Sequence, residues 1–290
     1  MSGPFVLKIG GELIETPAGR ARLAALVAAI APQRPLVIVH GGGRAIDAEM
    51  DRRSLAPRKV DGLRITDRAT LDVVVAVLAG TANTELVASL VAAGVPAVGL
   101  TGVDAGLGRA AKTAAHRSSS GAIVDLGLVG DPAHADTSLI DLLLVHGYVP
   151  VVASLGIAAT PGEAGDPGIL NVNADVMACR IAASLGATDL AMAGGTAGVL
   201  DEAGESIALL DAAGIDALVL SGTATAGMVA KLEACRTALL EGVASVRIVD
   251  GRGCDEHHGV DEAPGTTLVL SMDEAGRAAA VPAAGGPARS

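Results

Sequence analysis

Aromatic side chains are almost absent from this 290-residue chain, which has no tryptophan, one tyrosine (Tyr148) and one phenylalanine (Phe5). Proteins that grip single-stranded nucleic acid stack bases on aromatic rings, so that class is excluded. Cationic charge is scarce as well. Lys and Arg number 21 against 32 Asp and Glu, a formal net charge of −11, and an acidic surface repels the phosphate backbone of DNA or RNA. Cysteine is limited to Cys179, Cys235 and Cys254. These are too few and too scattered for a disulfide framework or a zinc site, and they suit a reducing, cytoplasmic setting. No basic-then-apolar leader opens the chain. The longest uncharged stretch, Leu86 to Val103, is broken by Gly94 and Pro96. It predicts helix, turn and strand rather than a membrane span.

What is present is aliphatic: half the residues are hydrophobic, nearly all of them Ala, Val, Leu and Ile. Short apolar runs at Phe5–Ile9, Leu36–Val39, Ala97–Leu100, Val149–Ala153, Asp189–Met192, Ser245–Val249 and Thr267–Leu270 predict strands. Ala-rich runs at Arg20–Ile30, Arg44–Arg53, Thr70–Leu78, Thr84–Ala93, Ser138–His146, Ala174–Leu185 and Met228–Glu241 predict helices. Continuous apolar strands belong to a sheet covered on both faces, and their alternation with helices means βαβ units. The expected fold is therefore α/β, a three-layer αβα sandwich with a central, mostly parallel sheet. Ile123–Gly130 predicts a β-hairpin arm. The polar insert Thr160–Gly168 marks a soft division between an N-terminal lobe, residues 1–170, and a C-terminal lobe, residues 171–271. The composition of residues 272–290 predicts a disordered tail.

Two strand-to-glycine junctions stand out. Lys8 closes the first strand and is followed by Gly10-Gly11, and His40-Gly41-Gly42-Gly43 joins the second strand to a helix. Glycines let bare backbone N–H groups approach an anion, and a helix N-terminus adds its dipole. His40 itself reads as a structural, hydrogen-bonding histidine. No G-x-x-x-x-G-K-[ST] and no G-x-G-x-x-G occurs, which excludes a Walker-type NTPase and a standard dinucleotide fold. Arg64 precedes a helix and has the geometry for a carboxylate. Asn83 reads as a helix N-cap. In Asn171-Val172-Asn173-Ala174-Asp175, Asn173 reads as an N-cap and Asp175 as a first-turn acid, which leaves Asn171 unexplained. Lys231 falls in the first turn of its predicted helix, where the dipole disfavours a cation unless an anion lies close.

Taken in order, the phrases KIGG, LVIVHGGG, DGLRITD, LAGTAN, VDLGLVGD, GYVPVVASLG, LNVNAD, GVLD, GMVAKLEAC and VDGR span residues 5–251. The ordered set resembles the amino acid kinase family, and within it the members that act on N-acetyl-L-glutamate. The resemblance implies that ATP, with Mg²⁺ bound through the nucleotide, phosphorylates the γ-carboxylate of N-acetyl-L-glutamate to an acyl phosphate in arginine biosynthesis. It implies that Lys8 and Lys231 stabilise the transferring phosphoryl group, that Asp175 holds both lysines, and that Gly10 and Gly11 line the phosphate path. Gly42, Gly43, Arg64 and Asn171 would bind the acetylamino acid, with Arg64 on its α-carboxylate. Gly195, Gly198, Leu200, Thr223 and Thr225 would lie on the nucleotide side. The N-terminal lobe would hold the acceptor and form a homodimer, and the C-terminal lobe would hold ATP.

Two departures keep other readings open. Gly194-Gly195-Thr196 stands where the family usually carries an acidic residue, and the segment Ser221–Ala226 lacks the usual acidic and glycine content. A sister kinase acting on an aminoadipate derivative or N-succinylglutamate, and a weakened regulatory paralogue, remain as alternatives.

Overall fold

The computed structural model of the chain describes residues 3–118, 120–160, 167–224 and 226–270. The predicted tail from residue 272, residues 161–166 of the polar insert, and Thr225 lie outside them.

The chain opens with β1 (Phe5–Ile9), α1 (Pro17–Ile30), β2 (Leu36–His40) and α2 (Gly43–Arg52). A short pair, β3 (Lys59–Val60) and β4 (Leu63–Arg64), precedes α3 (Arg68–Val75), α4 (Asn83–Ala92) and β5 (Ala97–Thr101). Next come β6 (Arg109–Lys112), β7 (His116–Arg117), β8 (Ile123–Val124), β9 (Val129–Pro132) and α5 (Ser138–Val145). These lead to β10 (Val149–Ala153), β11 (Leu155–Ala158), β12 (Ile169–Val172) and α6 (Ala174–Leu185). The remainder is β13 (Asp189–Gly194), β14 (Leu209–Leu210), α7 (Ala212–Ser221), α8 (Ala226–Leu240), β15 (Ser245–Asp250) and β16 (Gly265–Leu268).

Eight strands form one sheet in the order β14-β16-β15-β13-β1-β2-β10-β5. The six from β15 to β5 are parallel, and β16 reverses against β15. The predicted mostly parallel sheet is thus present, and β1 lies near its middle. Side chains alternate along β1. Phe5, Leu7 and Ile9 enter the core beneath α1 and α4 with Leu23, Val27, Leu86 and Leu90. Val6 enters the opposite core with Ile181 of α6 and Leu232 of α8. Lys8, two residues on from Val6, therefore faces α6 and α8, and this alternation positions the site. The sheet runs unbroken between the two expected lobes, and residues 170 and 171 are neighbours inside β12.

Four further strands, β11, β12, β9 and β6, close into a small barrel above the sheet. The hairpin expected over Ile123–Gly130 does not form. β8 pairs back to β7, while β9 joins β6 and β12 in the barrel. Gly127 supplies the positive φ that turns the chain between them.

Asn83 is the second correction. α3 and α4 are one rod, Arg68–Ala92, joined through π-helical turns over Ala76–Ala82. Asn83 is helical (φ −65°, ψ −46°) and is the first residue of α4, not its N-cap. It is buried, donating to the carbonyl of Val151 at 2.9 Å and to His40 Nε2 at 3.0 Å. Gly99 makes room for it, because a Cβ there would lie 2.2 Å from Asn83 Oδ1. By length and composition alone the rod could cross a bilayer, but here Leu71, Leu78, Leu86 and Leu90 are buried as in a core helix.

Candidate active site

The carboxyl ends of parallel strands are where open α/β sheets place their ligands, and the glycine junctions meet there. β1 is followed by Gly10, whose N–H donates to the carbonyl of Ala193 at 2.8 Å. Gly11 approaches the second glycine loop so closely that a Cβ would sit 3.0 Å from Gly42 Cα. Gly42 precedes α2, and Gly43, its first residue, faces open space. The unpaired N–H groups of that first turn and the glycine backbone form an anion-accepting rim. The cleft they border measures about 260 Å³, and Lys8, Gly10, Gly11, Gly42, Gly43, Arg64, Asn171 and Asp175 all line it.

At its floor Asp175 stands between two lysines. Lys8 Nζ lies 2.7 Å from Asp175 Oδ1, and Lys231 Nζ donates to Oδ2 at 2.9 Å. Asn173 caps α6, its side chain accepting from the N–H groups of Asp175 and Val176. That cap sets the direction of the first turn, and with it the Asp175 side chain. Lys231 corrects the expectation from sequence. α8 begins at Ala226, so Lys231 lies in its second turn, and Asp175 rather than the helix terminus sets its environment.

The three groups are mostly buried. Burial disfavours the Asp175 carboxylate, but the Lys8 and Lys231 ammonium groups outweigh it and hold its pKa well below the usual carboxylate range. Burial likewise disfavours the Lys231 ammonium, and Asp175 overcomes this to raise its pKa. Two positive charges share one negative charge, leaving a net positive floor that complements an incoming phosphate.

The other expected residues fall into two groups. Arg64, nearly fully buried, donates to the Gly43 carbonyl at 3.0 Å and to Asp47 Oδ1 at 2.6 Å. Asn171 lies on β12, donating to Thr66 Oγ1 at 3.1 Å. Both are therefore fixed before any ligand arrives. Gly195 follows β13 and lies beside the Glu12 side chain, but like Gly198, Leu200 and Thr223 it is outside the cleft lining. Gly198 takes a φ of +106° where any side chain would strike Thr266. Leu200 is 43% exposed. Thr223 bonds to Ser221 after α7.

Three polar cleft residues went unnoticed in the sequence, Glu12, Lys59 and Ser154, as did Asp47, which bonds to Arg64 and Lys59 from outside the lining. Lys59 ion-pairs with Asp47 at 2.6 Å and sits directly opposite Arg64 across the β3–β4 ladder. Hairpin spacing around Asp61-Gly62 was the available signal. Glu12 follows Gly10-Gly11 directly, an acid at the mouth of an expected phosphate path. His40 is a structural residue, as expected. Asn83 Nδ2 must donate, since it also meets a carbonyl, so Nε2 accepts and Nδ1–H faces the Gly41 carbonyl at 3.0 Å. Burial lowers the His40 pKa and favours this neutral form.

An α/β sheet whose central strand delivers a lysine to two glycine loops, with a second lysine tied through one aspartate, assembles charge and backbone N–H groups suited to a phosphate. Residues 3–250 match the amino acid kinase family, and the chain belongs to that family. An acetylglutamate kinase of Acidiphilium cryptum is 46% identical over 221 residues, covering 74% of this chain and 72% of that protein. Another, from Symbiobacterium thermophilum, is 38% identical over 262 residues, 86% of this chain and 87% of that one. Among solved structures, N-acetylglutamate synthase of Neisseria gonorrhoeae superposes with a TM-score of 0.75 at 22% identity. It shares the fold over 93% of this chain, which spans 60% of that longer protein.

The triad generates a prediction. Asp175 has a lower pKa folded than unfolded, so its stabilisation is complete above the unfolded carboxylate pKa of about 3.9 and is lost as pH falls through the folded value. Asp175→Asn leaves two buried ammonium groups unbalanced and is expected to cost about 3–5 kcal/mol at pH 7. Urea unfolding should show the gap between wild type and variant narrowing at pH 3; an equal gap at both pH values would count against this electrostatic account.

Proposed function

We propose that this protein transfers the γ-phosphoryl group of ATP to the γ-carboxylate of N-acetyl-L-glutamate, forming an acyl phosphate for arginine biosynthesis. The observation that carries the reading is the Lys8–Asp175–Lys231 triad beneath the two glycine loops. Identity of 38–46% to proteins named acetylglutamate kinase over most of the chain supports the acceptor.

A γ-carboxylate oxygen attacks the terminal phosphorus, the bond to the bridging oxygen breaks, and its electron pair leaves with ADP. No proton needs to be abstracted, so the work is positioning and charge neutralisation. Lys8 and Lys231 face the equatorial oxygens, Asp175 keeps both ammonium groups aimed, and the N–H groups around Gly10, Gly11, Gly42 and Gly43 receive the remaining charge. Arg64 takes the α-carboxylate of the acceptor, exchanging part of its Asp47 contact for it, and Asn171 takes the acetylamino group.

Mg²⁺ fits as a companion of the nucleotide. No cluster of three or more ligating side chains occurs among the described residues. Asp175 is committed to its lysines, but Glu12, a hard oxygen donor, faces the same cleft. When bound, the ion neutralises charge on the β- and γ-phosphate oxygens. The N-terminal half would hold the acceptor, and the C-terminal half, with Gly195, Gly198, Leu200, Thr223 and Thr225, the nucleotide. Three free, buried cysteines suit a cytoplasmic enzyme.

The free edge of β5 and the half-exposed Val91 on neighbouring α4 support a homodimer that pairs sheet edges. Light scattering should give twice the chain mass of 28.4 kDa; a monomer at micromolar concentration would rule the pairing out. The function itself is tested by trapping the acyl phosphate as a hydroxamate, with N-acetyl-L-glutamate, N-acetyl-L-aminoadipate and N-succinyl-L-glutamate side by side. Turnover of the first alone is expected. Preference for another acceptor would move the substrate, and no hydroxamate with any would refute the kinase reading.

A further inference from the structure

One charged group in the cleft takes no part in the phosphoryl transfer itself. Glu12 lies in the single 3₁₀ turn Gly11–Leu13 that follows β1, and its side chain folds back over glycine. A Cβ built on Gly10 would lie 2.5 and 2.6 Å from its two carboxylate oxygens. One built on Gly194 would lie 3.3 Å from Oε1, and one on Gly195 3.4 Å. Three glycines from two strand ends thus form the bed in which this carboxylate rests. A side chain on Gly10 would displace it, and one on Gly194 or Gly195 would stand in direct contact with it.

The carboxylate is unneutralised. It makes no hydrogen bond and no ion pair among the described residues. Two cations feel its charge, Lys231 and Arg252. Both are committed elsewhere: Lys231 to Asp175 at 2.9 Å, and Arg252 to Asp250 at 2.7 Å. A free anion beside the path of a polyphosphate repels it, and the repulsion grows as the cleft loses water. The same anion becomes attractive once a divalent cation stands between the two, because oxygen donors of this kind are what Mg²⁺ takes alongside phosphate.

We propose that Glu12 is the protein's ligand for the divalent cation that accompanies the nucleotide, and that it makes nucleotide binding dependent on the metal. The proposal rests on the kinase reading but not on the identity of the acceptor. It also assigns a role to the glycine pair at the end of β13, which is to leave room for a carboxylate delivered from the opposite wall. Gly195 is not in the left-handed region, so an aspartate there is free of backbone strain and would bring its carboxylate into the space Glu12 occupies.

The experiment is calorimetric titration of the full chain with ADP, in saturating Mg²⁺ and in EDTA. It compares wild type, Glu12→Gln and the double variant Glu12→Ala/Gly195→Asp. In wild type, Mg²⁺ is expected to tighten ADP binding by roughly tenfold or more, within the usual range of coupling between two ligands. Glu12→Gln should cut that enhancement to about threefold or less, chiefly because metal-free ADP no longer meets a bare carboxylate. The double variant should restore it. An enhancement unchanged in Glu12→Gln overturns the proposal, as does equal weakening with and without metal, which would mark a purely structural residue. Wild type that binds no ADP in either condition would overturn the kinase reading and this inference together. An unexpected acceptor leaves every arm of the titration as it stands.

Discussion

The site depends on one carboxylate held between two ammonium groups. Asp175 contacts Lys8 from the central strand and Lys231 from a helix 56 positions further along the chain. Without it, two mostly buried like charges would repel, and each would carry its desolvation penalty alone. With it, both are held at the floor of the cleft and retain one excess positive charge. The rest of the architecture serves that arrangement. The parallel sheet delivers Lys8 to the face carrying α6 and α8, Asn173 fixes the first turn of α6, and packing of α6 on α8 brings Lys231 into reach.

The glycines complement the triad. Gly11 and Gly42 let two loops touch at backbone distance, which brings the N–H groups of both to one rim. On the side proposed for the acceptor, Asp47 ties Arg64 and Lys59 together, and Thr66 links Arg64 to Asn171. Burial holds Arg64 and Thr66 in place, so these two side chains have little entropy left to lose when a ligand arrives.

Most of the sheet was legible in the sequence because aliphatic runs such as Phe5–Ile9 and Val149–Ala153 suit only buried parallel strands. The Asn173 cap was legible for a local reason, the side-chain acceptor at a helix start. What escaped was what local pattern does not encode. Asn83 looked like a cap because Gly80-Thr81 looked like a break, yet a π-helical segment carries the rod through. α7 lacks a polar face and contains Gly214, which hides its period, and the barrel strands β6, β9, β11 and β12 are only four residues each. Lys8, Asp175 and Lys231 are each unremarkable alone. Chain position could not bring them together; the ordered motifs of a family could, and the tertiary fold does. Glu12 was missed because its significance lies in where a 3₁₀ turn aims its carboxylate.

The account stands most directly on the turnover number of Lys8→Ala, measured with ATP, Mg²⁺ and N-acetyl-L-glutamate at saturation. Loss of a preorganised charge stabiliser predicts a fall in kcat of about 100-fold or more, with KM for both substrates changed only a few-fold. A kcat within a few-fold of wild type would contradict the claim that the Asp175-held lysine pair carries the phosphoryl transfer.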